Sequence, residues 1–281
     1  MLANMKESSD AESASPQEFA HKKSLGQNFL TSDIVPRWLC DAAELTAGET
    51  ILEIGPGTGM LTRELLARGV TVVAVEADAR AITYLEEAFK EAILSGKLSL
   101  HHSDARELDL AKLGLTDHNF TVVANIPYYL SGFLLRRLLE TPVQPKTLVF
   151  LMQKELVARI ARDKKASLLS LSVRAFGEPV YVKTVTRGHF NPPPKVDSAI
   201  LAVRGISRDR LFEVGAEFFF KLLHLGLGSK RKQLIANLSN TFPRQDVAAA
   251  LATLSVSPTV RGEDLSLSEW VRLATILKNR L

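Results

Sequence analysis

The sequence predicts an α/β fold: a mostly parallel β-sheet covered by helices on both faces, an antiparallel hairpin at its edge, and a small all-helical C-terminal domain. Three observations carry this. Short β-branched or apolar runs alternate with helical patterns from Thr50 to Arg162, the alternation that builds parallel sheets. The strand runs are apolar at consecutive positions, as in VTVVAV at 70–75, which suits strands buried on both faces. Beyond Gly205 only period-3.6 apolar spacing remains.

The elements follow in order. Strands are expected at Thr50–Ile54, Val70–Glu76, Leu98–His102, Thr121–Asn125 and Thr147–Met152, each bounded by Gly, Asp, Asn or Pro. Helical patterns lie between them at Met60–Arg68, Ala79–Leu94, Gly132–Glu140 and Lys154–Arg162. Val180–Arg187 and Ser198–Val203 are extended and alternating, joined through the proline-rich Phe190–Lys195, and read as an antiparallel pair at the sheet edge. Helices are expected at Arg210–Leu225, Lys230–Leu238, Gln245–Leu254 and Ser266–Lys278, the last with a Ser266/Glu269 capping box. This divides the chain into a tail over 1–21, an α/β domain over 22–204 and a helical domain over 205–281. The Ser/Glu/Ala-biased tail reads as disordered.

Composition narrows the function. The chain has 281 residues, 46% of them hydrophobic and 23% charged, with Cys40 as its one cysteine. That excludes an intrachain disulfide framework and a multi-cysteine zinc site, and fits a reducing compartment. Neither an export signal nor an apolar run of membrane-spanning length stands out, so a cytoplasmic protein without membrane contact is expected. Charge is segregated. Residues 1–153 hold 14 basic and 20 acidic side chains, residues 154–281 hold 21 and 11. The basic half suits a polyanion, because each Lys or Arg beside a phosphate releases a condensed counterion.

The chemistry starts at ILEIGPGTG, residues 51–59, where Gly55, Gly57 and Gly59 follow a strand and open a helix. The dinucleotide fingerprint is G-x-G-x-x-G; this loop departs from it, and Glu53 in front suits a cationic ligand better than a diphosphate. Glu76 ends the next strand, 19 residues beyond Gly57, where a carboxylate can accept from both ribose hydroxyls. Asp104, in HHSDA after the third strand, can accept from an adenine amino group. Asn125 ends the fourth strand. These four strand ends, at Gly55, Glu76, Asp104 and Asn125, face the edge where open α/β sheets bind ligands. The constellation resembles the Rossmann-like class I S-adenosylmethionine-dependent methyltransferases.

Asn125-Ile126-Pro127-Tyr128 resembles the (Asp/Asn/Ser)-Pro-Pro-aromatic motif of methylases acting on exocyclic amines. The adenine N6 lone pair is delocalised into the ring, so the amine is a poor nucleophile. Two acceptors, the Asn125 side-chain oxygen and the Ile126 carbonyl, can hold its two N–H groups and favour a more tetrahedral nitrogen. Pro127 fixes the chain so that the Ile126 carbonyl points inward. Tyr128 can stack on the base, and Phe190, in the rigid HFNPPPKVDSA loop, is the candidate for a second aromatic wall around an extruded base.

Four motifs in order, KKSLGQNFL at 22–30, EIGPGTGMLT at 53–62, NIPYYLS at 125–131 and FNPPPKVDSAI at 190–200, resemble the ribosomal RNA adenine N6-dimethyltransferases, and most closely the bacterial small-subunit enzymes. The resemblance runs from Lys22 to the end. It implies S-adenosylmethionine as donor, S-adenosylhomocysteine as product, no metal, and a monomer. It implies 16S rRNA in the small subunit as partner, with two adjacent adenosines of the 3′-terminal hairpin loop as targets. By the same resemblance Asn28 and Leu30 join Gly55, Glu76, Asp104 and Asn125 around the cofactor, and Tyr128 and Phe190 sandwich the adenine. SKRKQLIANL at 229–238 and SPTVRGEDLS at 257–266 would dock on rRNA. The segment ARDKKASLLSLSV at 161–173 lacks the family's usual Tyr-Gly, and SKRKQ replaces the usual Arg-Arg-Lys run. A large-subunit rRNA adenine methylase and a non-catalytic ribosome assembly factor are the alternative readings.

Overall fold

The computed structural model describes residues 28–279. The expected tail over 1–21 and residues 22–27 of the first motif lie outside the described residues. In chain order the elements are β1 (Phe29–Leu30), α1 (Ile34–Ala43), β2 (Thr50–Ile54), α2 (Met60–Ala67), β3 (Thr71–Glu76), α3 (Ala79–Ala88), α4 (Lys90–Leu94), β4 (Leu98–His102) and β5 (Thr121–Asn125). Then come α5 (Ser131–Leu139), β6 (Thr147–Gln153), α6 (Lys154–Ala161), α7 (Leu168–Phe176), β7 (Glu178–Val185), β8 (Phe190–Asn191) and β9 (Ser198–Arg204). Four helices close the chain: α8 (Ala216–Leu227), α9 (Leu234–Leu238), α10 (Arg244–Thr253) and α11 (Leu267–Lys278).

The main sheet runs β4-β3-β2-β5-β6-β9-β7. Its first five strands are parallel, and β9 lies antiparallel to both β6 and β7. The expected hairpin is therefore present, with its later strand inside and β7 at the edge. Alternation along each strand divides the core. Leu52, Val73, Val122 and Phe150 point into one cluster, while Ile51, Val72, Val123 and Val149 point into the other. Residues two apart share a face of a pleated strand, so a sheet apolar at nearly every position must be covered twice. Helices α1 and α2 supply Val35, Leu39, Leu61 and Leu65 on one side; α5 and α7 supply Leu134, Leu135 and Leu171 on the other. The buried faces of α8–α11, including Phe219, Leu222, Trp270 and Leu273, belong to that second cluster, with the Phe176 and Phe220 rings 5.8 Å apart.

Four expectations need correction. The single helix over Ala79–Leu94 breaks at Phe89, whose φ of −120° leaves the helical range. Its ring is 8% exposed and packs beneath Gly59, so burial of an aromatic overrides helical continuity. The helix expected from Arg210 starts at Ala216, after Gly215 at φ 77°. The basic segment SKRK lies on an exposed turn ahead of α9, not on a helix. Helix α7 was not expected. It opens on a capping box in which Ser167 and Ser170 exchange side-chain and backbone hydrogen bonds, a Ser-x-x-Ser version of a signal usually read as Ser-x-x-Glu.

Candidate active site

The order of strands puts a reversal between β2 and β5: β3 and β4 lie on one side of β2, β5 and β6 on the other. Loops leaving the carboxyl ends of such neighbours diverge and leave a crevice. Here that crevice is an open cleft walled by the segments that follow β2, β3, β4 and β5 and by the N-terminal Asn28–Leu30. Asn28, Leu30, Gly55, Glu76, Asp104 and Asn125 all line it. The strand-end pattern names four of these and the family resemblance adds Asn28 and Leu30; the fold brings all six to one cleft.

Each is positioned by local structure. Gly57 adopts φ 57°, which an L-residue resists, and a Cβ there would sit 3.1 Å from the Phe29 ring. Glycine therefore lets the loop run close under Phe29 without backbone strain or displacement of that ring. Glu76 ends β3 with Oε2 accepting from the Gly57 amide at 3.0 Å and Oε1 accepting from the Ala77 and Asp78 amides at 2.9 Å each. Three backbone donors lock this carboxylate at the lip of the cleft. Asp104 accepts from the Arg106 amide at 2.8 Å and from its guanidinium, with Nη2 at 2.6 Å from Oδ2. The guanidinium holds the carboxyl below its ordinary pKa, so Asp104 presents an ionised acceptor.

Glu53 is the most unusual group. It is fully buried on β2 and lines the cleft. Its Oε2 accepts from Thr62 Oγ1 at 2.7 Å, while Oε1 has no hydrogen-bond partner among the described residues. Burial pushes its pKa up to about 8 against the Thr62 hydrogen bond, and the nearby Glu76 adds to the rise. A buried acceptor without a donor, facing a cleft, is a seat for a cation or an N–H group.

The Asn125-Ile126-Pro127-Tyr128 segment forms the other wall. Asn125 Nδ2 donates to the Asn28 carbonyl at 3.4 Å, which orients the amide and leaves its oxygen without a hydrogen bond among the described residues. The Ile126 side chain is buried in the core, and no hydrogen bond reaches its carbonyl among the described residues. Pro127, at φ −56° and ψ 133°, turns the chain into a short 3-10 turn over Tyr128–Leu130 that runs directly into α5. The Tyr128 hydroxyl is 2.7 Å from Ser198 Oγ, which pins the ring to β9, and burial raises its pKa.

Phe190 is placed differently from the expectation. Its ring is 5% exposed, its backbone pairs with Leu30 in the β1–β8 ladder, and it does not line the cleft. This chain alone offers no open face of Phe190 to a base; the ring packs the second core cluster instead. Tyr128 is half-buried and also stands just outside the lining. Sequence reasoning missed Phe29, Met60, Arg106 and Tyr129, which do line it. Tyr129 had a visible signal, a second aromatic directly after the motif; Arg106 had none beyond its spacing from Asp104.

The described residues contain no group of three or more His, Cys, Asp or Glu placed to hold a metal ion, and no described helix is long and apolar enough to cross a membrane. Cys40 is fully buried, with its pKa raised to about 12 by burial, a core thiol rather than a nucleophile.

Comparison with known proteins bears on the same cleft. The chain is 37% identical over 258 residues to a ribosomal RNA small subunit methyltransferase A of Dehalococcoides mccartyi, covering 91% of this chain and 88% of that one. It is 34% identical over 277 residues to the protein of that name from Bacillus pumilus, covering 94% and 93%. Among solved structures it is similar to the 23S rRNA methyltransferase ErmE, at TM-score 0.72 and 27% identity over 89% of this chain and all of that one. It is also similar to a dimethyladenosine transferase from Plasmodium falciparum, at TM-score 0.74 and 25% identity over 87% and 95%. A family model described as ribosomal RNA adenine dimethylase matches residues 18–279, and the chain belongs to that family.

Proposed function

We propose that this protein transfers methyl groups from S-adenosylmethionine to N6 of two adjacent adenosines in the 3′-terminal hairpin loop of 16S rRNA, dimethylating each, as part of small-subunit maturation in the cytoplasm. The observation that carries the reading is the pair of open acceptors at Asn125 and Ile126, beside a cleft with carboxylates at two strand ends.

The cleft fits an adenosyl sulfonium donor on three counts. Glu76 is locked where ribose hydroxyls would meet it. Asp104 is an ionised acceptor for the adenine amino group. The unpartnered Glu53 Oε1 suits the α-ammonium or the sulfonium charge. Gly55 and Gly57 let the ligand approach the main chain, and Asn28 and Leu30 close the cleft from the N-terminal side. When bound, S-adenosylmethionine supplies an electrophilic methyl group.

The chain supplies alignment. The Asn125 oxygen and the Ile126 carbonyl accept the two N–H groups of the target amine and draw its lone pair out of conjugation. The Asn28 carbonyl, by holding Asn125 Nδ2, keeps the acceptor end of the amide toward the substrate. Tyr128, braced by Ser198, stacks on the extruded base; Phe190 supplies the second wall only once the β1–β8 pair shifts to open its ring. The amine proton leaves to solvent after transfer, so orientation and desolvation provide the rate. The C-terminal helices, with the basic turn at 229–232 and the segment 257–266, dock a monomer on folded rRNA.

The relatives named for the small subunit favour 16S over 23S rRNA as substrate. The test is mass spectrometry of both rRNAs from cells with and without the gene, paired with methyl transfer by purified protein to unmethylated small subunits. Dimethyladenosine at two adjacent 16S positions, lost with the gene, is expected. Asn125→Ala should lower transfer at least about 100-fold at saturating donor, the scale for loss of a preorganised transition-state contact. Transfer at the wild-type rate would refute the amine-holding mechanism. Modification of 23S rRNA instead, or subunit binding without any transfer by the wild type, would replace the proposal with the large-subunit or the assembly-factor reading.

A further inference from the structure

The helical run that follows Pro127 carries an aromatic pair which the proposed transfer chemistry does not use. Tyr129 is 61% exposed and Phe133 is 45% exposed. Tyr129 lies on the 3-10 turn and Phe133 four residues on, in the first turn of α5, which follows without a break. The helix is anchored on its core side: Ser131, Leu134, Leu135 and Leu138 are all fully buried. Tyr129 lines the rim of the cleft, and the rim also holds Arg106, whose Nε and Nη2 pair with Asp104 while the side chain stays 64% exposed.

Two aromatic rings held open to water on a rigid helix are costly unless something covers them. Their place narrows the occupant. They continue directly from the segment proposed to grip the target amine, on the side away from the core. A base turned out of its stack leaves the next nucleotide with an uncovered face and a phosphate between the two. Aromatic side chains cover base faces without regard to sequence, and a guanidinium beside them suits the linking phosphate.

We infer that Tyr129 and Phe133 form a stacking platform for the nucleotide adjacent to the target adenosine, with Arg106 facing the phosphate that joins the two. This rests on the functional reading above and deepens it. Where both target adenosines are neighbours, the platform holds one while the other occupies the amine-binding pocket, which sets the register of the substrate strand. Tyr129 and Phe133 are positioning residues in this scheme, not catalytic ones.

Two measurements test it. In steady-state transfer to unmethylated small subunits, Tyr129→Ala and Phe133→Ala should each raise KM about tenfold, the scale for loss of one base–aromatic stack. Tyr129→Phe and Phe133→Tyr should stay near wild type. Donor affinity of the RNA-free protein should be unchanged in Phe133→Ala, since that ring is outside the cleft lining. Second, a 3′-end hairpin RNA carrying 2-aminopurine beside the target adenosine should lose fluorescence on mixing with the wild type. It should keep that fluorescence with the Tyr129→Ala/Phe133→Ala double variant. A double variant with KM within twofold of wild type overturns the platform. Raised KM with equal quenching in wild type and double variant assigns the face to a protein partner and overturns it as well. A wild type that modifies no rRNA defeats the functional reading first, an outcome told apart by the control reaction alone.

Discussion

Glu53 is two residues before the first glycine of the loop, and its burial predicts that ligand binding is coupled to its protonation. With its pKa near 8, the carboxyl is protonated in the ligand-free protein at pH 7. A cation seated against Oε1 favours the ionised form, so donor binding should release a proton, approaching one equivalent between the ordinary carboxylate range and about pH 7 and falling to about half at about pH 8. Calorimetry in buffers of different ionisation enthalpy reads this directly, and Glu53→Gln should abolish the buffer dependence. The stability of the ligand-free chain follows the same sign. A carboxyl whose folded pKa lies above its unfolded value contributes most below about pH 4.5, and the contribution is lost as pH rises through about 8. Glu53→Gln should therefore flatten the fall in melting temperature across that window; an identical fall in the variant would show that Glu53 is ionised throughout. The carboxylates at positions 76 and 104 were legible in sequence because each follows an apolar strand run at a predictable distance. The partners that set their state were not. Arg106 reaches Asp104 only because Ala105–Glu107 folds into a 3-10 turn, and the buried condition of Glu53 depends on α2 delivering Thr62.

At the scale of elements, the glycine loop shows how close packing and ligand access are joined. Gly57 faces Phe29 of β1, which pairs with β8, so the N-terminal segment roofs the cleft and β8 backs it from outside the lining. Gly57→Ala adds a Cβ to a left-handed residue and presses it on the Phe29 ring. The expected cost is about 1–3 kcal/mol, seen as a lower denaturation midpoint at constant m-value. Donor affinity should fall more steeply than stability, because the roof is displaced; an affinity unchanged in the folded variant would remove Phe29 from the site. Strand positions were readable because an apolar run of four to seven residues between turn formers admits few alternatives. Helix α7 was not, because ASLLSLSV lacks charged residues to mark a solvent face, and its cap uses a serine where glutamate is the familiar signal. The break at Phe89 was equally hidden: the periodicity on both sides is helical, and only tertiary burial under Gly59 decides against it.

The whole molecule pairs a cleft in an acidic half with a basic surface in the other. Beyond residue 154 the exposed cations include Lys164, Lys165, Lys230, Arg231, Lys232 and Arg261. They come together across the sheet and the C-terminal helices, where the Ala166 amide donates to the Glu263 carbonyl at 2.8 Å and Lys165 pairs with the Glu263 carboxylate. These helices complete the same core cluster as the sheet, so the basic surface is fixed relative to the cleft. Charge segregation was visible from the sequence, but this seam was not, since it depends on contacts nearly a hundred residues apart in the chain. Phosphate contact by such a surface predicts salt-dependent association. If about six phosphates are neutralised, raising salt from about 50 to 200 mM should weaken small-subunit binding roughly 10³-fold. Lys232→Glu should lower the slope of log affinity against log salt by about one or more. Lys112→Glu, on the acidic half, should leave that slope unchanged. Equal slopes for wild type and Lys232→Glu would place the polyanion elsewhere on the molecule, and a change with Lys112→Glu alone would place it on the acidic half instead.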